Sequence, residues 1–268
     1  MYNRFKPIIC FLLFASISLA QSIEIEPLSV RSIYLETFFN SQPLARATGF
    51  IVENDNKPYL ITNWHVVTGI NPSTGDTVDT LKRIPNILLI YHHSTILGTW
   101  LGKAEYLYNN SGNKRWLEHP DSSKVDVIAF PLDTSDQNIH MYFFDLDLAN
   151  TNMIPEVAMP VQIIGYPAGL AGKGNFPIWK TGNIASEPNL NYNNEPVFLI
   201  DATTRGGMSG SPVILRLTGG YRELDGGRIM SSTYFSTLFL GVYSGQWQYP
   251  EIGKVWKPIV INEIFNNQ

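Results

Sequence analysis

Cysteine is nearly absent from this sequence, because Cys10 is the only one among 268 residues. A disulfide framework of the kind that holds small secreted domains together is therefore excluded, and the fold must depend on an apolar core. The sequence also lacks a His-Glu-x-x-His segment and paired cysteines that could hold zinc, which argues against a metal-dependent hydrolase. We expect no metal and no cofactor.

Charged residues are also scarce, at 16% of the sequence, against roughly 25% in typical globular proteins. The formal net charge is −4, and the chain contains no run of lysine or arginine. Nucleic acids and anionic membranes require a basic surface, so neither is expected as a partner. After the N-terminal segment, no apolar run reaches the length of a membrane span.

The N-terminal segment has the pattern of a secretory signal peptide. Arg4 and Lys6 form a positive start, Pro7–Leu19 is nearly continuous apolar sequence, and small residues around Ala20 provide a cleavage site. An uncleaved N-terminal anchor is the alternative, which the polar sequence directly after Ala20 disfavours. We therefore expect residues 1–20 to be removed, the sole cysteine with them, leaving a secreted or periplasmic protein without membrane attachment.

Short strand patterns dominate the remaining sequence. Runs of β-branched and aromatic residues, each bounded by Asn, Asp, Gly, Ser or Pro, are typical of an antiparallel all-β fold. They form two groups separated by less regular sequence, so we expect two domains, at 21–145 and 146–268. The clearest runs are Ile33–Phe39, Gly49–Val52, Tyr59–Thr62, Ile87–Tyr91 and Val125–Phe130 in the first group, and Val161–Tyr166, Ile178–Thr181, Val197–Ile200, Pro212–Leu215 and Phe239–Tyr243 in the second.

Two further local predictions concern a turn and a helix. Glu53–Pro58 is rich in Asn and Asp and is predicted to be the turn of a hairpin. Apolar residues that include Trp256 and Val260 recur at helical spacing and predict a C-terminal helix over Lys254–Phe265. Pro258 is compatible with that helix only near its start.

The stretch Thr203–Ile214 places a high density of glycine and serine around one central serine, Ser209. The ordinary interpretation is a turn, since Gly adopts positive φ without strain and Ser can bond its own backbone. The functional interpretation is that the turn presents Ser209 as a nucleophile beside unobstructed backbone N–H groups. A serine hydroxyl is a poor nucleophile at neutral pH, so this interpretation requires a histidine base oriented by a carboxylate.

The order of residues along the chain restricts the choice of base. All five histidines precede Ser209, and they are His65, His92, His93, His119 and His140. This order excludes the Ser-Asp-His succession of α/β-hydrolases. The Asp-His-Ser succession of subtilisins needs a carboxylate before His65, where the nearest, Asp55, lies in the predicted turn. A His-Asp-Ser succession remains.

His65 and Asp126 are the best candidates within that succession. His65 ends an apolar strand pattern, where a buried core histidine is the ordinary interpretation, while the adjacent His92 and His93 face opposite sides of a strand. Asp126 interrupts an otherwise apolar run, and a carboxylate there needs a strong hydrogen-bond partner or an exposed edge. Asp121 is the fallback, although its surroundings are those of an ordinary turn.

Three blocks carry these residues, Thr62–Val67 around His65, Asp126–Ala129, and Gly207–Pro212 around Ser209. Together and in this order they resemble the signature blocks of the trypsin-like, chymotrypsin-fold serine endopeptidases, in the style of the bacterial secreted branch. Thr48–Val52 and Gly241–Gly245 resemble two further blocks of the family, so that the resemblance spans nearly all of the chain after the signal peptide.

The resemblance implies two antiparallel six-stranded β-barrels with the active-site cleft between them and a short C-terminal helix. It implies that Ser209 forms an acyl-enzyme, that His65 transfers the proton and that Asp126 orients His65. The N–H groups of Gly207 and Ser209 would form the oxyanion hole. The implied substrate-binding residues are Thr203, Thr204, Arg205, Tyr243, Ser244 and Gly245.

Three features of the sequence, set against the family pattern, bear on regulation and specificity. Met208 stands where zymogen-activated members carry an aspartate, so we expect activity without that activation cleavage. Thr203, six residues before Ser209, is not acidic, so a preference for Arg or Lys substrates is not expected. Thr204 matches a threonine of glutamate-specific relatives, whereas Tyr243 stands where they carry histidine, and we predict a preference for acidic or polar residues.

The expected function is that of an exported serine endopeptidase with protein or peptide substrates. The alternative is a catalytically silent binding protein on the same fold, because a fold does not determine a function. The presence of all three triad residues and of the glycine-rich turn favours the enzyme. The sequence gives no indication of the oligomeric state.

Overall fold

The computed structural model describes residues 24–148, 152–222, 229–246 and 251–267. The predicted signal peptide lies outside these residues. Strands dominate the described ranges, with two short α-helices, α1 (Trp64–Thr68) and α2 (Ile259–Asn266). No helix in the described part of the chain is long and apolar enough to cross a membrane. The predicted all-β class is confirmed.

The first eight strands form one antiparallel sheet. They are β1 (Ser32–Phe39), β2 (Gln42–Asn54), β3 (Lys57–Thr62), β4 (Ile87–Ser94), β5 (Trp100–Tyr106), β6 (Leu117–Glu118), β7 (Ile128–Pro131) and β8 (Ile139–His140). Their order is β5-β4-β1-β2-β3-β7-β6, and β8 pairs with β4. Because β6 and β8 contain only two residues each, the longer strands match the six that the sequence predicted for this half.

The predicted hairpin turn connects β2 and β3. Asp55 and Asn56 adopt φ values of 49° and 58°, and Asn54 pairs with Lys57 across the turn. Asp and Asn tolerate this left-handed region better than most side chains, and two consecutive positive φ values suit the twist of a two-residue hairpin. The turn prediction is therefore confirmed.

The remaining six strands close into a barrel. They are β9 (Pro160–Gly165), β10 (Ile178–Ile184), β11 (Val197–Asp201), β12 (Pro212–Arg222), β13 (Ile229–Gln246) and β14 (Ile252–Trp256). Their order around the barrel is β10-β11-β14-β13-β12-β9. The register of β12 against β13 shifts between Val213 and Ile214, and such a bulge increases the local twist of a strand pair. A closed six-stranded barrel beside a second antiparallel sheet confirms the predicted double-β architecture.

Each half has its own apolar core, and a third cluster joins the two halves. Leu35 and Leu60 are fully buried in the first sheet, and Ile163 is fully buried in the barrel. The joining cluster contains Phe50 from β2 and Trp256 from β14. Burial of this shared apolar surface holds the two halves in a fixed relation, which any site between them requires.

The C-terminal helix is shorter than predicted and packs on the N-terminal sheet. Strand β14 continues to Trp256, and α2 begins at Ile259 directly after Pro258. The helix prediction was wrong for Lys254–Pro258. The residues as far as Trp256 form a strand that pairs with β11 and β13. Proline is tolerated only in the first turn of a helix, so the helix cannot extend far to the N-terminal side of Pro258. Helix α2 contacts β6 and β7.

Candidate active site

A cleft converges on Ser209. Three cavities border this residue, with volumes of about 760, 600 and 860 Å³. His65 borders the first and the third of them, and Asp126 borders the first. Three residues that are distant in sequence therefore meet at one place.

His65 lies in α1, a helix of five residues that follows β3 directly. Asn63 precedes the helix in an extended conformation, and Gly69 ends it with a φ of 65°, which glycine adopts without strain. This short helix turns the chain out of the sheet and leaves the His65 side chain 20% exposed. His65 is therefore a cleft residue and not a core histidine.

His65 and Asp126 form a close pair. Nδ1 of His65 lies 2.7 Å from Oδ2 of Asp126, and the backbone N–H of His65 donates to Oδ1 at 2.8 Å. Because each carboxylate oxygen contacts His65, the pair fixes both the position and the orientation of the ring. The Asp126 side chain is 3% exposed, so His65 is the partner that a carboxylate in an apolar run requires.

The pKa of His65 lies above its ordinary value of 6.5. Burial by itself lowers this pKa, since it disfavours the charged imidazolium. The charge of Asp126 and its hydrogen bond act in the opposite direction and outweigh burial. The pair therefore makes the ring a stronger base than a free histidine.

Two further residues hold Asp126 in place. Ser244 Oγ donates to Oδ2 of Asp126 at 2.5 Å, and Asn63 Nδ2 donates to the Asp126 carbonyl at 2.7 Å. Ser244 was predicted to bind substrate, and it does border the cavity of about 760 Å³ together with Ser209. Its hydroxyl, however, is engaged with the carboxylate, a role that the sequence did not reveal.

The turn around Ser209 depends on two glycines. Gly207 and Gly210 have φ values of 97° and 85°, in a region that side chains rarely adopt. A Cβ on Gly207 would lie 2.3 Å from the carbonyl oxygen of Tyr166, and one on Gly210 would lie 2.1 Å from that of Thr48. Conformation and space both require glycine at these positions, which explains the composition of the stretch.

Backbone N–H groups beside Ser209 are open. Within the described residues, neither the N–H of Gly207 nor that of Ser209 donates to a protein acceptor. Thr48 holds the loop from the N-terminal half, since its hydroxyl donates to the Gly207 carbonyl at 2.7 Å and its N–H donates to the Ser209 carbonyl at 2.8 Å. With both carbonyls bonded to Thr48, the two N–H groups remain available to an oxyanion.

Ser209 and His65 border the same two cavities. No hydrogen bond joins these two side chains among the residues that the structure covers. Hydrogen bonds between nucleophile and base are often long in a free enzyme and shorten when substrate binds. The fold thus brings Ser209 to the His65–Asp126 pair, and substrate binding is left to complete the contact.

A polar wall lines the predicted substrate pocket. Thr204 and Tyr243 are buried, and their hydroxyls are hydrogen-bonded to each other. Gln246 reaches the same wall, where its Oε1 accepts from the Thr204 hydroxyl at 2.9 Å and from the Thr204 N–H at 3.1 Å. Burial raises the pKa of Tyr243 to about 12, although the hydrogen bond between Tyr243 and Thr204 opposes this rise, so the hydroxyl keeps its proton at neutral pH.

The six predicted substrate-binding residues divide into three groups. Those that border the cavity of about 600 Å³ are Thr204, Arg205, Tyr243 and Gly245. Ser244 borders only the neighbouring cavity of about 760 Å³. Thr203 is exposed and borders none of the three cavities. The structure thus gathers most of the predicted pocket but leaves Thr203 outside it.

The other candidate histidines lie away from Ser209. His92 and His93 are buried in β4, His119 pairs with a glutamate of α2, and His140 lies in β8. Asp121, the fallback carboxylate, borders the cleft but lies 4.0 Å from His119 and not beside His65. Across the described ranges, no group of three or more His, Cys, Asp or Glu side chains could hold a metal ion.

Glu118 anchors the helix that carries the histidine. Its Oε1 accepts from the indole N–H groups of Trp64 at 3.1 Å and of Trp116 at 2.8 Å. Its Oε2 accepts from Lys114 Nζ at 2.6 Å and from Ser122 Oγ at 3.0 Å. Sequence reasoning missed this residue, and the only available signal was the short spacing of Lys114, Trp116 and Glu118.

Comparisons with known proteins agree with this geometry. The family model of the trypsin-like peptidase domain matches residues 47–219. A search of curated proteins finds no match. Among solved structures, the serine endoprotease from Yersinia pestis has a TM-score of 0.53 at 12% identity, over 91% of this chain and 67% of that chain. The thermostable serine protease AL20 from an extremophilic microorganism has the same TM-score and identity, over 90% and 98%.

The two kinds of comparison show different things. At 12% identity the structural likeness concerns the fold alone. The family match covers more than half of the chain and contains His65, Asp126 and Ser209, but it ends before Tyr243 and Gln246. The chain therefore belongs to the trypsin-like peptidase domain family, and it is a serine endopeptidase of the chymotrypsin fold.

Proposed function

We propose that this protein is an exported endopeptidase that hydrolyses peptide bonds through a Ser209–His65–Asp126 triad and an acyl-enzyme. The observation that carries the proposal is the His65–Asp126 pair, joined at 2.7 Å and bordering the same cavity as Ser209. A base that a carboxylate orients beside a hydroxyl is the arrangement that nucleophilic acyl transfer requires.

In the first half of the reaction, His65 accepts the proton of Ser209 as Oγ attacks the peptide carbonyl carbon. The oxyanion that forms accepts hydrogen bonds from the N–H groups of Gly207 and Ser209, each of which typically contributes about 3–4 kcal/mol to the transition state. The imidazolium then gives its proton to the leaving amine, the C–N bond breaks, and the acyl group remains as an ester on Ser209.

In the second half, water replaces the amine. His65 accepts a proton from the water, whose oxygen attacks the ester, and then returns the proton to Ser209 as the acid product leaves. Asp126 orients the ring and stabilises its charged form without taking the proton itself. Ser244 and Asn63 keep Asp126 in position through the two hydrogen bonds at 2.5 and 2.7 Å.

The proposal extends to location and activation. The signal-peptide pattern of residues 1–20 supports export to a periplasm or to the outside of the cell. A division into 21–145 and 146–268 assigns His65 and Asp126 to the first part and Ser209 to the second. Met208 is fully buried in the apolar core of the barrel, which supports activity without pairing of a newly cut N-terminus at that position.

Labelling with a fluorophosphonate probe tests the proposal. We expect the folded protein to be labelled at Ser209, as located by mass spectrometry, because only an activated serine attacks the probe. Ser209→Ala should abolish labelling and lower kcat for a peptide substrate by a factor on the order of 10⁶. Ser211→Ala is the matched control, since the Ser211 hydroxyl is buried and outside the cleft, and it should keep the label.

An unlabelled but folded wild-type protein would contradict the proposal. That result would favour the alternative of a catalytically silent binding protein on the same fold.

A further inference from the structure

The cavity of about 600 Å³ lies on the acyl side of the cleft. Provided that Ser209 is the nucleophile, as proposed above, the leaving amine must lie beside His65, which gives it a proton. This cavity borders Ser209 but not His65, whereas the other two border both residues. It therefore receives the side chain of the residue whose carbonyl is attacked, the residue before the cleaved bond.

The hydrogen bonds on the wall of this cavity fix the orientation of the Gln246 amide and the direction in which each of the two hydroxyls donates. A backbone N–H can only donate, so the Gln246 atom that accepts from the Thr204 N–H is the carboxamide oxygen. The Thr204 hydroxyl gives its single proton to the same oxygen. The Tyr243 hydroxyl must then donate to Thr204, and both hydroxyl protons are in use.

The open polar groups next to Thr204 are donors, whereas the Glu251 carboxylate, which also borders the cavity, is an exposed acceptor. Among the described residues, Nε2 of Gln246 has no acceptor, and the Arg205 guanidinium donates one hydrogen bond, from an Nη to the Thr204 carbonyl at 2.9 Å. Arg205 and Glu251 oppose each other in charge, so hydrogen bonding and not net charge distinguishes one substrate side chain from another.

We propose that this pocket selects a side chain that ends in a hydrogen-bond acceptor, glutamate ahead of glutamine, and that Gln246 determines the preference. A carboxylate accepts from both Gln246 and Arg205, and hydrogen bonds to a charged group are the stronger ones. A leucine leaves Nε2 of Gln246 unpaired after water is displaced. A lysine places a donor against a donor.

Peptides that differ only in the residue before the cleaved bond test the proposal. We expect kcat/KM to follow the order Glu, Gln, and then Leu and Lys, with Leu and Lys at least about tenfold below Glu. Gln246→Glu keeps an oxygen for Thr204 and replaces the open N–H₂ by an acceptor. It should lower cleavage after Glu and raise cleavage after Lys, changing their ratio by about a hundredfold or more. Gln137→Glu adds the same charge at an exposed position and should leave the ratio unchanged.

The outcomes separate this inference from the proposed function. Faster cleavage after Leu or Lys than after Glu overturns the inference, as does an unchanged Glu/Lys ratio in Gln246→Glu. Probe labelling of Ser209 combined with either result leaves the proposed function standing. Absence of labelling and of all cleavage defeats the proposed function, and the assignment of the pocket with it.

Discussion

At the scale of single residues, Thr48 shows how one side chain connects the two halves. Thr48 is fully buried. Its hydroxyl donates to the Gly207 carbonyl at 2.7 Å and accepts from the Tyr166 N–H at 3.1 Å. The Thr48 carbonyl accepts from the Thr62 hydroxyl at 2.8 Å. A buried polar group must be paired, and here the pairing also positions the loop that carries the two open N–H groups.

The prediction at this scale concerns His65, the proposed base. The proposed mechanism requires a neutral ring, and Asp126 raises the pKa of His65 above 6.5, so kcat/KM should rise with pH through a value above 6.5. Asp126→Asn removes the charge and leaves burial, which lowers the pKa. We expect the rise of kcat/KM with pH to move below pH 6.5 and kcat to fall by about 10⁴-fold. Peptide hydrolysis over a pH series measures both quantities. The same pH dependence of kcat/KM in Asp126→Asn and wild type would contradict the assignment of His65 as the base.

At the scale of elements, α1 depends on tertiary contacts for its stability and position. It has five residues, and the Asn63 side chain makes no capping hydrogen bond, whereas isolated helices of this length are unstable in water. The indole N–H of Trp64 donates a hydrogen bond to Glu118. Glu118 in β6 pairs with Ile128 in β7, and Ile128 lies two residues after Asp126. The helix with the histidine is thus tied to the strand that follows the carboxylate.

Glu118→Gln tests this tie. Burial raises the pKa of Glu118, but hydrogen bonds from Lys114, Trp116 and Ser122 outweigh it and lower the pKa. Losing the charge should lower the free energy of unfolding by about 2 kcal/mol, typical of hydrogen bonds to a charged group. We expect kcat to fall with little change in KM, because Glu118 borders none of the cavities at Ser209.

Lys114→Met is the control for this experiment. The Lys114 side chain is 50% exposed, so its loss should cost less than about 1 kcal/mol. Denaturant unfolding and steady-state kinetics give both quantities, and equal stability and kcat in Glu118→Gln and wild type would show that the tie is unimportant.

At the scale of the whole molecule, stability should fall in acid because histidines are buried in the N-terminal sheet. Burial, assisted by the charge of Lys103, lowers the pKa of His92 to about 4, while the unfolded chain protonates it near 6.5. The unfolded state therefore binds more protons between these values, and the protein loses stability as pH falls through that window. From His92 alone the loss reaches about 3 kcal/mol.

Unfolding in denaturant at a series of pH values measures this loss. His92→Leu removes the titrating group and should flatten the dependence between pH 6.5 and 4. Within the described residues, Nδ1 of His92 has no hydrogen-bond partner, so the substitution breaks no bond at that atom. His140→Gln changes an exposed histidine and should keep the slope of the wild type. Identical slopes in His92→Leu and wild type would contradict the role assigned to this residue.

Short-range features could be predicted from the sequence. The strands, the Asp55–Asn56 turn and the His65, Asp126 and Ser209 candidates follow from residue periodicity, backbone preference and order along the chain. The start of α2 was missed, because apolar spacing around Trp256 suits a helix and a strand equally over so few residues. Gln246 and Glu118 were missed, because nothing local pairs either of them with its partner.

The sequence by itself determined the β class, the glycine-rich turn and the residue types of the site, since φ preferences and side-chain periods act over a few residues. Only the tertiary structure decided which polar groups meet. Ser244 reaches Asp126, Thr48 reaches the loop of Ser209, and Gln246 reaches Thr204. These contacts depend on strand register, barrel closure and the packing of the two halves, which are set by the whole chain at once.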